Sequence, residues 1–173
     1  MSQGAPFADG GTRAGGGLPT TSPGSETGTR PVKPSDALKF ERPDGWRDGK
    51  MSSMRLAAFN VGPEAESAEV TVMAAGGDLR ANVARWIGQV IGEQPATDVV
   101  DTALENAEKL DVSGRPAQRF LLTGTDADSG NAIDATIVPL DSGASMFIKM
   151  TGPVATVNEQ RDALGSFLQS LKF

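Results

Sequence analysis

Histidine, cysteine and tyrosine are all missing from the 173 residues of this chain. Their absence removes the side chain that most often moves protons near neutral pH and the usual thiolate nucleophile. It also removes the best ligands for zinc, copper, haem and iron–sulfur clusters. Carboxylates, lysine, arginine, serine and threonine remain, and they form no constellation with catalytic spacing. The acidic pairs Glu64 with Glu66 and Asp98 with Asp101 are not placed to face one another across a cleft, as glycosidase-type chemistry requires. No G-x-S-x-G elbow occurs, and Gly15, Gly16 and Gly17 lack the lysine, preceding strand and following helix of a phosphate loop. No catalytic residue and no cofactor are expected.

Long apolar runs are also missing. No stretch reaches the length needed to cross a bilayer, and no charged n-region followed by an apolar h-region stands at the start. Concentrated positive charge is absent as well. The 16 Lys plus Arg are outnumbered by 22 Asp plus Glu, for a formal charge of -6, and the basic residues do not run together. Nucleic acid and anionic membrane surfaces both bind through clustered cations, so neither is an expected partner.

The first 34 residues have little that can form a core. Glycine and proline dominate them, and Phe7, Leu18 and Val32 are nearly the only bulky apolar side chains. Such a stretch buries too little apolar surface to offset its ordering entropy, so residues 1–34 are expected to be a disordered leader or tether. One reading makes residues 2–34 the tail behind a removed lipoprotein signal; the other makes them a dispensable tail on a cytosolic chain. Residues 35–173 then suit one domain with one sizeable core, expected to be monomeric.

Beyond residue 34 the apolar pattern alternates in short runs. Strands are expected at residues 37–40, 54–61, 69–74, 109–112, 117–125, 132–140 and 145–151, with the Pro43, Asp44, Gly45 turn delivering Trp46. Pro139 cannot donate to a ladder and belongs at a strand end or bulge. Residues 78–91 read as a helix capped by Asp78 and stopped by Gly92, and 97–105 as a shorter one. A last helix is expected from about 154 or 157 to 171, opened by a Thr156 and Glu159 capping box, with Val157, Leu164, Leu168 and Leu171 buried. Gly-containing turns favour antiparallel pairing. The order predicts an α+β fold with a mainly antiparallel sheet of six or seven strands, covered on both faces by helices.

Two features invite a binding role. Asp126, Asp128, Asn131 and Asp134 carry the oxygen ligands a calcium loop needs. The glycine and the bidentate acid fall at the wrong places, so a polar hairpin loop is expected and no metal. Asn82, Arg85 and Gln89 fall at i, i+3 and i+7, on one strip of the first helix beside Trp86. There a guanidinium and an indole can grip a carboxylate or phosphate, or else Trp86 anchors the core and the strip is a solvated or edge-bonding face. These four residues are the candidate binding site.

The opening FERPDGW at residues 40–46 resembles the F-x-x-P-x-G-W start of the PsbP-like family. The closing FIKMTGP at 147–153 and FLQSLKF at 167–173 are similar to that family's last strand and last helix. NVARW at 82–86 and the final SLKF are closer still to small bacterial envelope proteins, often lipoproteins. The resemblance spans nearly all of residues 38–173. It implies an α/β/α sandwich, a binding or assembly role and no catalytic residue. Photosynthetic members retain calcium and manganese through carboxylates and histidine, a role that a chain without histidine does not inherit. The expected function is a non-catalytic module that binds a protein or envelope component, tethered in the periplasm or cell envelope. A cytosolic adaptor of the same fold, or a hydrolase built on carboxylates or hydroxyls, are the alternatives.

Overall fold

The structure is a computed structural model that describes residues 38–126 and 130–173. The expected leader over residues 1–34, and Asp128 of the polar loop, lie outside the described residues.

Seven strands form one antiparallel sheet. In chain order the elements are β1 (Arg47–Asp48), β2 (Ala57–Val61), β3 (Ala68–Ala75), α1 (Leu79–Ile91), α2 (Thr97–Glu105) and β4 (Glu108–Val112). They continue with β5 (Arg115–Thr123), β6 (Asn131–Pro139), β7 (Ser145–Pro153), α3 (Val154–Glu159) and α4 (Arg161–Ser170). The spatial order is β1-β2-β3-β7-β6-β5-β4, so the strand nearest the C-terminus lies in the middle and joins two hairpin-built halves. Val70 faces Met150 and Val72 faces Ile148 across that junction. The fold is α+β with helices on both faces, as the sequence pattern predicts.

Strand parity sorts the side chains into two layers. On one face Val70, Val72, Ile148 and Met150 pack beneath Val157, Leu164, Phe167 and Leu168 of α3 and α4. On the other, Ile133, Ala135, Ile137 and Phe147 pack beneath Val83, Trp86 and Ile87 of α1 and Val100 of α2. β6 is buried from Ala132 to Val138 because it lies beneath both layers, and Pro139 ends it, where a missing N–H costs no ladder bond.

The α3/α4 face is sealed by aromatic packing and by a buried ion network. Phe59 and Phe167 pack against each other and each against Phe40 and Trp46, with ring centroids 5.1 Å apart for Trp46 and Phe167. Gly45 supplies the positive φ of 78° that turns the chain into Trp46, and the indole Nε1 donates to Gln160 Oε1 at 3.1 Å. Asp134 is fully buried on β6. It accepts from Arg119 Nε and Nη2, both at 2.8 Å, and from Arg161 Nε at 3.2 Å. Burial works against the Arg119 charge, but the Asp134 hydrogen bonds and charge outweigh it and hold the guanidinium above its ordinary value. Asp134 therefore serves the core and is not a loop ligand.

Four expectations are corrected. Residues 38–40 form no strand: Lys39 makes a single bridge with Lys172, through two backbone bonds of 2.9 Å, and β1 is a short edge strand that the alternation did not reveal. The second strand starts at Ala57, not residue 54, because residues 53 and 54 form a turn closed by Arg55 N donating to Ser52 O at 3.2 Å. The last helix is broken at Gln160, whose side chain is held by Trp46. Thr156 is not a cap: α3 opens at Pro153, and the Thr156 hydroxyl donates to Glu66 O at 2.7 Å, fastening the β2–β3 loop to α3. That loop passes so close that a Cβ on Gly62, where φ is +80°, would lie 2.4 Å from Thr156 Cγ2.

Asp134→Ala should lower unfolding stability by about 3 to 5 kcal/mol, because it leaves a buried guanidinium without its counter-charge. A shift in denaturant midpoint at unchanged slope checks it; a loss below about 1 kcal/mol would mean that water replaces the carboxylate.

Candidate functional site

The first helix positions the site. Asp78 caps α1 by accepting from Ala81 N at 2.9 Å, and Gly92 ends it with a left-handed φ of 80°, as both residue types suggest. Val83, Trp86 and Ile87 point into the sheet. Trp86 is 4% exposed and meets Phe147 edge to face, with centroids 5.8 Å apart and planes at 85°. It is thus the core anchor of the two sequence readings, and its edge still lines an open groove. Asn82 is also buried: its Nδ2 donates to Asp78 O at 3.0 Å and its Oδ1 accepts from Arg85 Nη2. Asn82 therefore positions Arg85 and does not itself present a free face. Arg85 and Gln89 are exposed on the helix flank.

All four candidate residues line one groove of about 430 Å³. Its wall is α1; its floor is the uncovered part of β3 and β7, with Glu69, Thr71 and Met73 beside Phe147, Lys149 and Thr151. Met54 and Arg55 form the far rim. Strand pairing makes this floor, because Glu69 lies opposite Thr151, Thr71 opposite Lys149 and Met73 opposite Phe147. The groove is amphipathic, with Met54 and Met73 supplying apolar surface around a polar centre, while Trp86 and Phe147 are almost fully buried beside it.

Its charge is positive in a chain of negative net charge. Arg55 binds Glu69 through two hydrogen bonds, 2.6 Å and 3.2 Å, and so neutralises the groove's only acid among the described residues. Arg85 and Lys149 have no acidic partner within salt-bridge distance among the described residues. Burial pushes the Lys149 ammonium below its ordinary value, and the nearby Arg85 charge adds to the effect while Glu69 opposes it. The Thr151 hydroxyl is buried there without a hydrogen-bond partner.

Sequence reading found the α1 half of this site and missed the strand half. Lys149 carried one signal: it interrupts the apolar run from Met146 to Met150, on the parity of Phe147 and not of Ile148. Arg55, Glu69 and Thr151 carried none. A second cavity, of about 370 Å³, lies on the other flank of Asn82 and Phe147, lined by Leu79, Leu110, Ala117 and Ile137 and by one charged residue, Lys109. Its recognition chemistry is mainly apolar, and the charged groove is the better-defined site.

Three substitutions check this geometry. Trp86→Ala should cost about 3 to 5 kcal/mol, as loss of a buried aromatic does, whereas Arg85→Ala should stay within about 0.5 kcal/mol of the parent. Lys149→Met should raise the thermal midpoint at neutral pH. With the folded-state value depressed, the native state holds its proton less readily than the unfolded chain, so the charged lysine opposes folding at every pH below that value. The advantage of Met should shrink as pH rises through the window from the depressed value to the ordinary lysine value. A lower midpoint for Lys149→Met would contradict this account.

No protein-family model and no curated protein matches this sequence. Among solved structures the chain is similar to LpqN of Mycobacterium tuberculosis, described as involved in cell envelope biogenesis, with a TM-score of 0.50 and 13% identity. The match covers 78% of this chain and 82% of that one. At this identity the likeness is one of fold.

Proposed function

We propose that this protein is a non-catalytic recognition module of the bacterial cell envelope, and that the α1 groove is its binding surface. The observation that carries the reading is the meeting of Arg85 and Lys149, two cations without acidic partners among the described residues, with the accessible apolar side chains of Met54 and Met73 in one open cavity. Grooves that join apolar walls to a few convergent polar groups are where proteins bind ligands. The envelope assignment draws on the fold shared with an envelope-biogenesis protein and on the resemblance to PsbP-like envelope proteins. No described helix is long and apolar enough to cross a membrane.

The hydrolase alternative is weaker on chemistry. Glu69 is the groove's single acid among the described residues and is occupied by Arg55, so no second carboxyl is at hand to share acid and base roles. A photo-crosslinking amino acid at Gln89, on the groove rim, tests the recognition reading in the native envelope. A defined product from position 89, absent from the same residue placed at Glu105 on α2, is expected. Equal labelling from both positions, or none, would overturn the reading, as would turnover in a hydrolase screen that a single acid or serine substitution abolishes.

A further inference from the structure

We propose that the groove binds a phosphate monoester, its phosphoryl group held between Lys149 and Arg85 and its organic part lying against Met54 and Met73. The inference rests on the groove being the recognition surface and adds the chemical class of what it takes.

Charge counting selects the anion. Arg55, Arg85 and Lys149 face the groove against Glu69 alone among the described residues, and the Arg55 fork already satisfies that acid. Two positive charges remain. A single carboxylate would neutralise one of them. A phosphate monoester carries a charge of about -1.5 to -2 near neutral pH and three strong acceptor oxygens, so it matches both.

Donor geometry agrees. Lys149 offers three N–H donors on a compact charge, and Arg85, which spends one N–H on Asn82 Oδ1, keeps its other donors for a ligand. Desolvation of Lys149 fits the same picture: an ammonium held partly out of water beside a second cation is disfavoured alone and relieved by an arriving anion. Apolar walls then distinguish an ester from free phosphate, because inorganic phosphate leaves the accessible Met54 and Met73 uncovered.

Amide and Lys Nζ resonances of the full chain, titrated with phenyl phosphate, inorganic phosphate and benzoate at constant ionic strength, test the assignment. Phenyl phosphate should shift Lys149, Arg85 and Thr151 saturably, with a dissociation constant at least about tenfold below those of inorganic phosphate and benzoate, a difference of about 1.4 kcal/mol. Lys149→Met should weaken phenyl phosphate at least about tenfold while its melting midpoint stays at or above the parent's, which separates lost binding from lost folding. Benzoate or inorganic phosphate binding as tightly as phenyl phosphate would overturn the proposal. So would the absence of a saturable shift below about 10 mM, weaker than a binding free energy of about 3 kcal/mol. A groove-specific crosslink at Gln89 without phenyl phosphate binding would sink the ligand class alone, leaving the recognition reading in place.

Discussion

A seven-stranded sheet is wider than two helices can cover. Strands about 4.8 Å apart put the outer two about 29 Å from each other, whereas two packed helices roof about 20 Å. On the α1/α2 face the helices settle over β5 and β6, and the floor over β3 and β7 stays open. The groove is therefore a consequence of layer widths, and its chemistry depends on which side chains strand parity turns toward that face. In β7 the alternation sends Ile148 and Met150 to the closed face and Lys149 and Thr151 to the open one. One sequence step, MFIKMT, thus builds a core and the floor of the groove at once.

The closed face makes the open one tolerable. Phe40, Trp46, Phe59 and Phe167 interlock beneath α3 and α4, and Asp134 ties β6 to β5 and α4 through Arg119 and Arg161. Those contacts over-determine the positions of β6 and β7, so a partly desolvated ammonium and an unpartnered hydroxyl can be held on the opposite face without the strand shifting. A charge disfavoured until something arrives to meet it is what the proposed recognition role asks of this groove. The fold resembles that of an envelope-biogenesis protein, but the groove's residues carry the functional argument here, because a shared sandwich says little about what binds it.

Much of this was legible in the residues. Asp78 and Gly92 bracket α1 as caps should, Pro139 closes β6, and the Gly-bearing turns produce the antiparallel meander from β4 to β7. Local chemistry decides such features, so local sequence reveals them. The break at Gln160 and the hydroxyl of Thr156 depend on partners far along the chain, Trp46 and Glu66, and a helical period gives no hint of either. The site divides the same way. Asn82, Arg85, Trp86 and Gln89 sit on one helix and could be grouped by spacing, whereas Glu69, Thr71, Lys149 and Thr151 become neighbours only when β3 pairs with β7, about eighty residues later. The spacing also showed Asn82 and Arg85 side by side without showing that Asn82 is buried as the prop for Arg85.

The central claim is that the uncovered sheet holds a partly desolvated cation pair awaiting an anion. The proton affinity of Lys149, followed through its side-chain resonances from neutral to alkaline pH in the absence of any oxyanion, tests it most directly. A midpoint below the ordinary lysine value, moving upward when Arg85 is replaced by glutamine, is the predicted result. A midpoint at or above the ordinary value, indifferent to Arg85, would mean that water or an acidic neighbour already satisfies the ammonium, and would contradict the account.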